Sequence, residues 1–517
     1  MFIYWENGFC RGGMFAVLEA EVVVEMIAIA TFTDPRPTAL SKERERALME
    51  KHKALIEALK EFDVLDVNAE LKKYEAFEKG ENFGIDDKEE VINAAKIISS
   101  KGVSGIILGL WHWTESNLVT LLAKETNKPL LLYADDDPAW AGTTCITSVG
   151  SSLWESSVNY YALHHTRLKG DIEKVKAWIR AVEAVSKLSK KSLLIWGAPY
   201  TLGMEHLMDD LPRLKRFIGD FLMIDQYLIV KKADEMLSDE KLRVSVEEFY
   251  DWLTSKVKVK FDNIMLTPEV LRRQIAIYLA AKDVWKEYEN EVAGVSIKCQ
   301  PELSEIYGVT ACLIPALFPF DLDAKGKKPV IPATCEGDIK GTISSILLFY
   351  LSGKPPLFGD IKYVDDELVL IANCGASSLY YAKLSENPEE NLSATTIQGQ
   401  CQGKSGGALT YRTPKTTLTI ARLIRIDGEY YLLYFLGEGV EITEEIEKKL
   451  KWGKQWPHTA VRNPLDKEKF IAIMGANHLS AVPGDYTVEL EFIAKLWGIK
   501  AVDLSNEEEV KELLKKV

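Results

Sequence analysis

The sequence of 517 residues contains no apolar run close to the roughly 20 residues that a membrane-spanning helix needs. Long basic runs are also absent: 63 Lys and Arg residues stand against 77 Asp and Glu residues, and the formal net charge is −14. We therefore expect no membrane association and no polyanionic partner such as nucleic acid.

Cysteine is sparse, and no two cysteines form a CxxC pair. An odd number of widely spaced cysteines is typical of reduced thiols in the cytoplasm and argues against disulfides or a zinc knuckle. The seven residues are Cys10, Cys145, Cys299, Cys312, Cys335, Cys374 and Cys401. A nucleotide-binding P-loop is missing too, because a Walker A motif at Gly403 would require a glycine where Gln398 stands.

The N-terminal stretch lacks the features of a signal peptide. Residues 1–25 carry an acid near the start, a single arginine and no clean apolar core. A regular strand pattern begins only at Met26. Two explanations stay open: the natural start is Met26 or Met14, or residues 1–25 form an N-terminal extension that packs on a neighbour.

Strand and helix patterns alternate from Met26 onward, which predicts parallel sheets covered by helices. After a short charged linker at residues 320–328, period-two alternation dominates and predicts antiparallel β structure. We therefore predict an α/β protein with two doubly wound, Rossmann-like domains at residues 26–150 and 151–325. A mixed, β-rich C-terminal domain follows at residues 326–517.

One stretch of the C-terminal part, residues 330–360, reads as strand, helix, strand, with Glu336 after the first strand and Asp360 after the second. A crossover of this length joins parallel neighbouring strands, which lie about 4.8 Å apart, so both carboxylates are expected at one sheet edge and could share one ion. A third ligand is His478, which follows a predicted strand at residues 470–474. Two carboxylates and an imidazole suit Mn²⁺ or Mg²⁺ better than a structural zinc.

A simpler explanation of these carboxylates is that Glu336 or Asp338 caps the following helix. A resemblance favours the metal site. The segments ATCEGDIKGTISSILLFYLSG, LFGDI and GANHLSAVPGDYTVELEFIAKLWGI resemble the metal-site segments of the L-fucose isomerase family. That family binds manganese through a Glu, an Asp and a His, which correspond here to Glu336, Asp360 and His478. The resemblance extends over most of the chain and is strongest in these segments.

The same resemblance implies substrate-binding residues. Arg36 and Trp111 follow strands of the first domain, Gln300 follows a strand of the second, and Trp456 lies in a loop similar to one that closes over substrate. Asn477, next to His478, is a further candidate. Alternative explanations are an ion pair of Arg36 with a neighbouring acid, a core position for Trp111 and helix capping by Gln300.

The resemblance implies a manganese-dependent aldose-ketose isomerase, with Mg²⁺ or Co²⁺ as alternative ions. The substrate would be L-fucose, D-arabinose or a similar monosaccharide, and Glu336 or Asp360 would move a proton through an ene-diol. L-arabinose or another sugar, a non-catalytic sugar-binding protein and a metal-dependent hydrolase are the alternatives. The family also implies a cytoplasmic homo-oligomer, a hexamer or trimer, with active sites built between subunits.

Overall fold

The computed structural model describes residues 25–517, so the proposed N-terminal extension lies outside the described residues apart from Glu25. Five parallel strands form the first sheet in the order β2-β1-β3-β4-β5. These strands are β1 (Ile27–Thr31), β2 (Val64–Asp66), β3 (Gly105–Gly109), β4 (Leu130–Ala134) and β5 (Thr166–Lys169). The accompanying helices are α1 (Ser41–Ala58), α2 (Val67–Glu70), α3 (Lys73–Glu78), α4 (Lys88–Ser100), α5 (Ser116–Thr126), α6 (Gly142–Ser156), α7 (Tyr160–Leu163) and α8 (Ile172–Ser189).

The middle of the chain supplies most of a second parallel sheet. The strands of this part of the chain are β6 (Ser192–Trp196), β7 (Asp220–Ile224), β8 (Lys258–Lys260), β9 (Val292–Ile297), β10 (Leu322–Asp323) and β11 (Gly326–Lys327). Of these, β6, β7 and β9 belong to the second sheet, whereas β10 pairs with β11 and β8 pairs with a strand of the C-terminal part. The helices of the middle part are α9 (Leu211–Leu214), α10 (Tyr227–Ser238), α11 (Glu240–Lys256), α12 (Pro268–Lys286) and α13 (Leu313–Leu317).

The C-terminal part is strand-rich. Its strands are β12 (Ala333–Cys335), β13 (Leu357–Val364), β14 (Leu368–Ala372), β15 (Thr396–Gly399), β16 (Gly407–Thr410), β17 (Thr417–Ile426), β18 (Glu429–Glu438), β19 (His458–Arg462), β20 (His478–Pro483) and β21 (Lys500–Asp503). Its helices are α14 (Ile339–Ser352), α15 (Pro388–Ser393), α16 (Glu444–Lys449), α17 (Lys467–Ile473), α18 (Thr487–Trp497) and α19 (Glu507–Leu514).

Sheet topology confirms the predicted fold class. The second sheet is parallel, in the order β12-β9-β6-β7, and the largest sheet is mixed, in the order β19-β14-β13-β20-β17-β18-β21. Only the β18 and β21 pair of that seven-stranded sheet is parallel. The first sheet includes β5 and the second includes β12, while the domain limits at residues 150 and 325 stay predictions.

The predicted crossover between β12 and β13 is wrong. β12 pairs with β9 in the second sheet, whereas β13 pairs with β14 and β20 in the seven-stranded sheet. The reason lies in α14, which is buried on nearly all sides and packs against β9 on one side and β17 and β20 on the other. Because the helix lies between two sheets, the strands at its ends belong to different layers.

The strand predicted at residues 470–474 is also wrong. This segment belongs to α17, whose N-cap Asp466 accepts a hydrogen bond from the backbone N–H of Lys469. His478 therefore begins strand β20 instead of following a strand. No helix in residues 25–517 combines the length and apolar character needed to cross a bilayer.

Candidate functional site

Three side chains predicted as metal ligands meet at the junction of two sheets. Asp360 on β13 lies directly opposite His478 on β20, and Glu336 arrives from the end of β12. The Nε2 atom of His478 is 3.2 Å from Glu336 Oε2 and 3.5 Å from Asp360 Oδ1. The structure therefore brings the three residues together, although by a different route from the predicted crossover.

Glu336 occupies an unusual backbone conformation. Its φ is +65° and that of Gly337 is +68°, so two consecutive residues are left-handed. A side chain rarely adopts this conformation unless its surroundings hold it there, and such residues are concentrated at functional sites. Here the carbonyl oxygen of Glu336 accepts a hydrogen bond of 2.9 Å from Thr201 Oγ1. The turn directs the chain from β12 into α14 and leaves the Glu336 carboxylate beside His478.

Asp338 holds His478 in place. Its carboxylate accepts the backbone N–H of Gly341 at 2.9 Å as the N-cap of α14, and it pairs with the Arg422 guanidinium through bonds of 2.6 and 3.0 Å. His478 Nδ1 lies 2.8 Å from the same carboxylate. Because Nδ1 is engaged, Nε2 faces Glu336 and Asp360, an arrangement common for histidines that bind metals.

The sequence predicted only the capping role of Asp338, and the capping bond is present. Arg422 on β17 was not foreseen, because its partner is distant in sequence. Burial opposes ionisation of Asp338, but the charge of Arg422 and the hydrogen bond with His478 hold the pKa of Asp338 well below its usual range. A permanent carboxylate therefore supports the imidazole.

The electrostatics of the cluster favour a cation. Burial works against the charged imidazole, yet Asp360, Asp338 and Glu336 together raise the pKa of His478 to about 10. Burial and then the nearby Glu336 charge raise the pKa of Asp360 above its usual value. Oε2 of Glu336 is buried and receives no aligned hydrogen bond, although His478 is close. A divalent ion would give this oxygen a partner and relieve the repulsion between the carboxylates.

Donor chemistry fits a hard divalent ion at this position. Glu336, Asp360 and His478 offer two carboxylates and one imidazole, a set that suits Mn²⁺ and Mg²⁺. Two thiols, those of Cys335 and Cys374, flank the same glutamate, and the ligand atoms of this second group all lie within 4.8 Å of one another.

A cavity of about 570 Å³ opens onto the cluster. Glu336 and Asp360 form part of its wall, and three predicted substrate-binding residues, Gln300, Trp456 and Asn477, line it as well. Its volume is in the range of small-molecule sites. The structure thus brings these three predicted residues and the predicted metal ligands to one cavity.

Asn477 connects the acidic cluster to the cavity. Its Nδ2 donates to Asp360 Oδ1 at 2.7 Å and lies 3.1 Å from His478 Nε2. Its Oδ1 is 2.9 Å from His206 Nε2. The structure thus places His206 beside the site, which no local sequence pattern indicated.

Trp456 and Gln300 form the opposite part of the wall. The indole N–H of Trp456 donates to Gln400 Oε1 at 2.9 Å, and its ring meets Trp452 edge to face at a centroid distance of 4.4 Å. Gln300 donates to Gln402 Oε1 at 3.1 Å. These bonds fix the two side chains while leaving part of each at the cavity surface.

Arg36 and Trp111 do not line this cavity. Arg36 pairs with Asp34, with Nε 2.9 Å from Oδ1, and its charge and hydrogen bond lower the pKa of that carboxyl. Trp111 is buried in the first sheet, donates to Thr31 Oγ1 at 3.2 Å and packs edge to face on Tyr133. Both residues thus have the contacts that the alternative explanations required.

Lys362 was also not foreseen. It lies two positions after Asp360 on β13, where the pairing with β14 is irregular between Ile361 and Tyr363. Residues 360–363 all line the cavity, so the alternation of side chains along a strand could not have indicated the place of Lys362.

Comparison with known proteins finds similarity in the C-terminal part of the chain. Residues 371–505, which include Trp456, Asn477 and His478, match the family model described as L-fucose isomerase, C-terminal domain. A sulfoquinovose isomerase of Clostridium sp. (strain MSTE9) is 24% identical over 217 residues, which is 41% of this chain and 44% of that protein. The matched part therefore spans less than half of the relative. The resemblance to the L-fucose isomerase family is confirmed by the match of residues 371–505 to that family's C-terminal domain.

Proposed function

We propose that the protein is a metal-dependent aldose-ketose isomerase. The observation that carries this proposal is the position of His478 Nε2, 3.2 Å from Glu336 and 3.5 Å from Asp360 at the wall of a cavity of about 570 Å³. A sugar-binding module has no need for such a group. A hydrolase would normally require a further general base in reach of an attacking water.

Glu336, Asp360 and His478 would hold the ion, which we propose to be Mn²⁺, with Mg²⁺ or Co²⁺ as alternatives. When bound, the ion would polarise the sugar carbonyl and acidify the neighbouring C–H group. The protein side chains would carry out the proton transfer. Glu336 or Asp360 takes the proton from C2 of the open-chain aldose and returns it to C1, while the hydroxyl proton at O2 passes to O1. The product is the ketose, formed through an ene-diol.

Surrounding residues prepare these carboxylates. The raised pKa of Asp360 brings this group closer to the range in which a carboxylate works as a base near neutral pH. Asn477 orients Asp360 by its 2.7 Å hydrogen bond, and Asp338 orients His478. Trp456 and Gln300 would contact the sugar further along the cavity, where the indole face can cover apolar C–H groups.

The substrate we propose first is a monosaccharide such as L-fucose or D-arabinose. A second candidate is a sulfonated sugar, because the name of the Clostridium relative specifies sulfoquinovose. One observation in this chain favours it. Lys362 lines the cavity, and its Nζ contacts a backbone carbonyl oxygen and an imidazole nitrogen.

The surroundings of Lys362 leave it able to bind an anion. Its Nζ donates to the Trp452 carbonyl at 2.6 Å and is 3.1 Å from His458 Nε2. Burial, with Arg412 and Lys362 nearby, lowers the pKa of His458 to about 3, so the ring is a neutral acceptor. An ammonium has three N–H donors, and one therefore stays available for a sulfonate oxygen.

The deciding experiment uses metal-stripped full-length protein, Mn²⁺ and four aldoses: L-fucose, D-arabinose, L-arabinose and sulfoquinovose. Ketose formation that requires the ion supports the proposed function, and tight Mn²⁺ binding without turnover of any sugar contradicts the substrate range. An absence of both binding and turnover would contradict the isomerase and favour a binding protein.

The Lys362→Met variant tests the second candidate. If a sulfonate sits at Lys362, the variant loses at least 10-fold in kcat/KM for sulfoquinovose and little for neutral sugars. Lys415→Met is a matched control, because Lys415 is exposed and pairs with Glu438 away from the cavity. Equal losses for charged and neutral sugars would contradict the anion-binding role.

We also propose a cytoplasmic homo-oligomer, a trimer or hexamer, in which Arg36 reaches the cavity of a neighbouring subunit and Trp111 supports that loop. The exposure of Arg36, whose side chain is 70% accessible, supports this assignment. Light scattering on the purified chain tests the assembly. A monomer with full activity would contradict it.

A further inference from the structure

Four of the sparse cysteines lie close together at the cavity wall or behind it. Cys299 follows β9, Cys312 precedes α13, Cys335 ends β12 and Cys374 follows β14. All are buried or half-buried and free of disulfides. Cys312 Sγ lies 3.8 Å from the Cys374 carbonyl oxygen. Segments far apart in the sequence thus place four of the protein's seven cysteines in one region.

Two of these thiols flank the candidate catalytic glutamate. The Sγ atoms of Cys335 and Cys374 and a carboxylate oxygen of Glu336 all lie within 4.8 Å of one another. Zinc bonds of about 2.3 Å to sulfur and about 2.1 Å to oxygen place such ligands roughly 3.5–4 Å apart. Small side-chain movements would therefore close the three donors around one ion.

The group formed by Cys335, Glu336 and Cys374 can be reached from the cavity and contains a buried oxygen without a hydrogen-bond partner. Glu336 and Cys374 both line the cavity, so an ion that enters it meets them directly. Oε2 of Glu336 is buried without an aligned hydrogen bond. Cys335 lies behind them, buried, with Asn373 Nδ2 3.5 Å from its sulfur.

We propose that Cys335, Glu336 and Cys374 form a second metal site, for thiophilic divalent ions such as Zn²⁺ or Cd²⁺. Thiolate ligands select soft ions, whereas Asp360 and His478 on the other side of Glu336 suit harder ones. Binding releases the two thiol protons to solvent and forms two metal–sulfur bonds. No electron transfer takes place.

Glu336 lies between the two cysteines and the pair Asp360 and His478, so a metal ion bound on one side affects binding on the other. A thiophilic ion draws the glutamate toward the two cysteines and away from Asp360 and His478. Binding at the thiol site therefore excludes the ion of the proposed isomerase. This inhibitory effect rests on the proposed function, whereas the binding itself does not.

Cadmium titration of the metal-stripped full-length protein tests the binding. Cadmium bound to thiolates absorbs in the ultraviolet by charge transfer, which reports the bonds directly. We expect a saturable absorption band in the unmodified protein and at least a 10-fold weaker apparent affinity in Cys374→Ser and Cys335→Ser. Cys145→Ser is the control, since Cys145 is buried in α6 beside the first sheet. A band that survives in both cavity variants overturns the site.

Two further measurements keep the result decisive. Circular dichroism identifies a variant that fails to fold, and Cys374→Ala replaces Cys374→Ser if the hydroxyl is the cause. Adding excess Mn²⁺ to the cadmium titration is expected to weaken cadmium binding at least 10-fold, because both ions need Glu336. Unchanged affinity would overturn the shared glutamate.

An activity assay separates this inference from the proposed function. If a sugar is turned over, Cd²⁺ is expected to inhibit the unmodified enzyme at least 10-fold more strongly than Cys374→Ser, measured as the ratio of inhibition constants. Equal inhibition overturns the regulatory part. If no sugar reacts, the proposed function fails, and the absorption band still decides whether the metal site exists.

Discussion

Glu336 is the residue on which both proposals depend. It combines a left-handed backbone, a buried carboxylate oxygen without an aligned donor and a 3.2 Å contact to His478. We expect Glu336→Gln to abolish turnover, because the amide can neither accept the C2 proton nor give the ion a negative ligand. Loss of charge stabilisation of this kind raises the barrier by several kcal/mol.

The measurement is kcat with the best sugar, together with thermal unfolding to show that the fold is intact. Glu305→Gln serves as control, since Glu305 is exposed and distant from the cavity lining. Residual activity above a few per cent of the unmodified enzyme would exclude Glu336 from its assigned role.

Asp338 supports the site without lining the cavity. Asp338→Asn leaves Arg422 as a buried charge without its partner, which typically costs 3–5 kcal/mol of the free energy of unfolding. It also releases His478 Nδ1, and we expect Mn²⁺ affinity to fall by about 10- to 100-fold. Chemical denaturation and a Mn²⁺ titration measure the two effects.

The double variant Asp338→Asn with Arg422→Met separates stability from metal affinity. It removes the unpaired guanidinium, so part of the lost stability should return. The Mn²⁺ affinity should stay low because His478 still lacks its carboxylate. Recovery of affinity together with stability would show that Asp338 acts only through the fold.

At the scale of elements, the helix of the central stretch was predictable and its neighbours were not. The helix predicted within residues 330–360 is the observed α14, Ile339–Ser352, and a capping aspartate and Gly353 mark its ends. The flanking strands carry no information on their partners. An apolar helix has the same sequence pattern whether it packs against one sheet or between two. Helix α14 packs between two sheets.

The turn between β12 and α14 can be tested through its glycine. A Cβ on Gly337 would lie 2.9 Å from Pro199 Cα and 3.0 Å from the Ala198 carbonyl oxygen, in addition to the strain of φ +68°. Gly353 has a similar φ of +65° with open space around it. We expect Gly353→Ala to cost about 1 kcal/mol in stability and Gly337→Ala clearly more, with loss of activity.

Chemical denaturation of the two variants measures this difference. Because both glycines are left-handed, the excess effect of Gly337→Ala reports the contact with Pro199 and Ala198. Equal destabilisation of the two variants would show that the loop at Pro199 moves to accommodate the added methyl group. Retained activity in Gly337→Ala would show that the turn does not position Glu336.

A histidine immediately before β5, His165, should make the fold acid-sensitive. His165 Nδ1 lies 2.7 Å from the Ala162 carbonyl oxygen, and Nε2 accepts from Arg167 at 2.7 Å, so the ring must be neutral. Burial, with Arg167 and Lys495 nearby, lowers the pKa of His165 to about 4. Between pH 6.5 and 4 the unfolded chain therefore binds a proton that the folded chain does not.

Stability from this histidine is consequently complete above about pH 6.5 and is lost as the pH falls toward 4, by at most about 3 kcal/mol. The check is the melting temperature of the unmodified protein and of His165→Gln from pH 7 to 4. The advantage of the unmodified protein should shrink with acid. A constant difference would mean that His165 keeps an ordinary pKa.

For the whole molecule, the sequence motifs predicted which three side chains meet, but not the topology that brings them together. Glu336, Asp360 and His478 each stand in a recognisable segment, and the three meet as predicted. Their meeting depends on β12 and β20 lying in different sheets, which is decided by packing over the full chain. Lys362 and Arg422 depend on the same packing, so no local pattern reveals their partners.

This arrangement gives a final prediction about the stability of the whole protein. One ligand comes from the four-stranded sheet and two from the seven-stranded sheet, so an ion bound by Glu336, Asp360 and His478 would join the two sheets across α14. Mn²⁺ at 100 times its dissociation constant should stabilise the folded chain by about 2.7 kcal/mol. Differential scanning calorimetry of the metal-stripped protein should show a melting temperature that rises with Mn²⁺ and a much smaller rise in Glu336→Gln. An equal rise in that variant would show that Glu336 does not contribute to the binding of the ion.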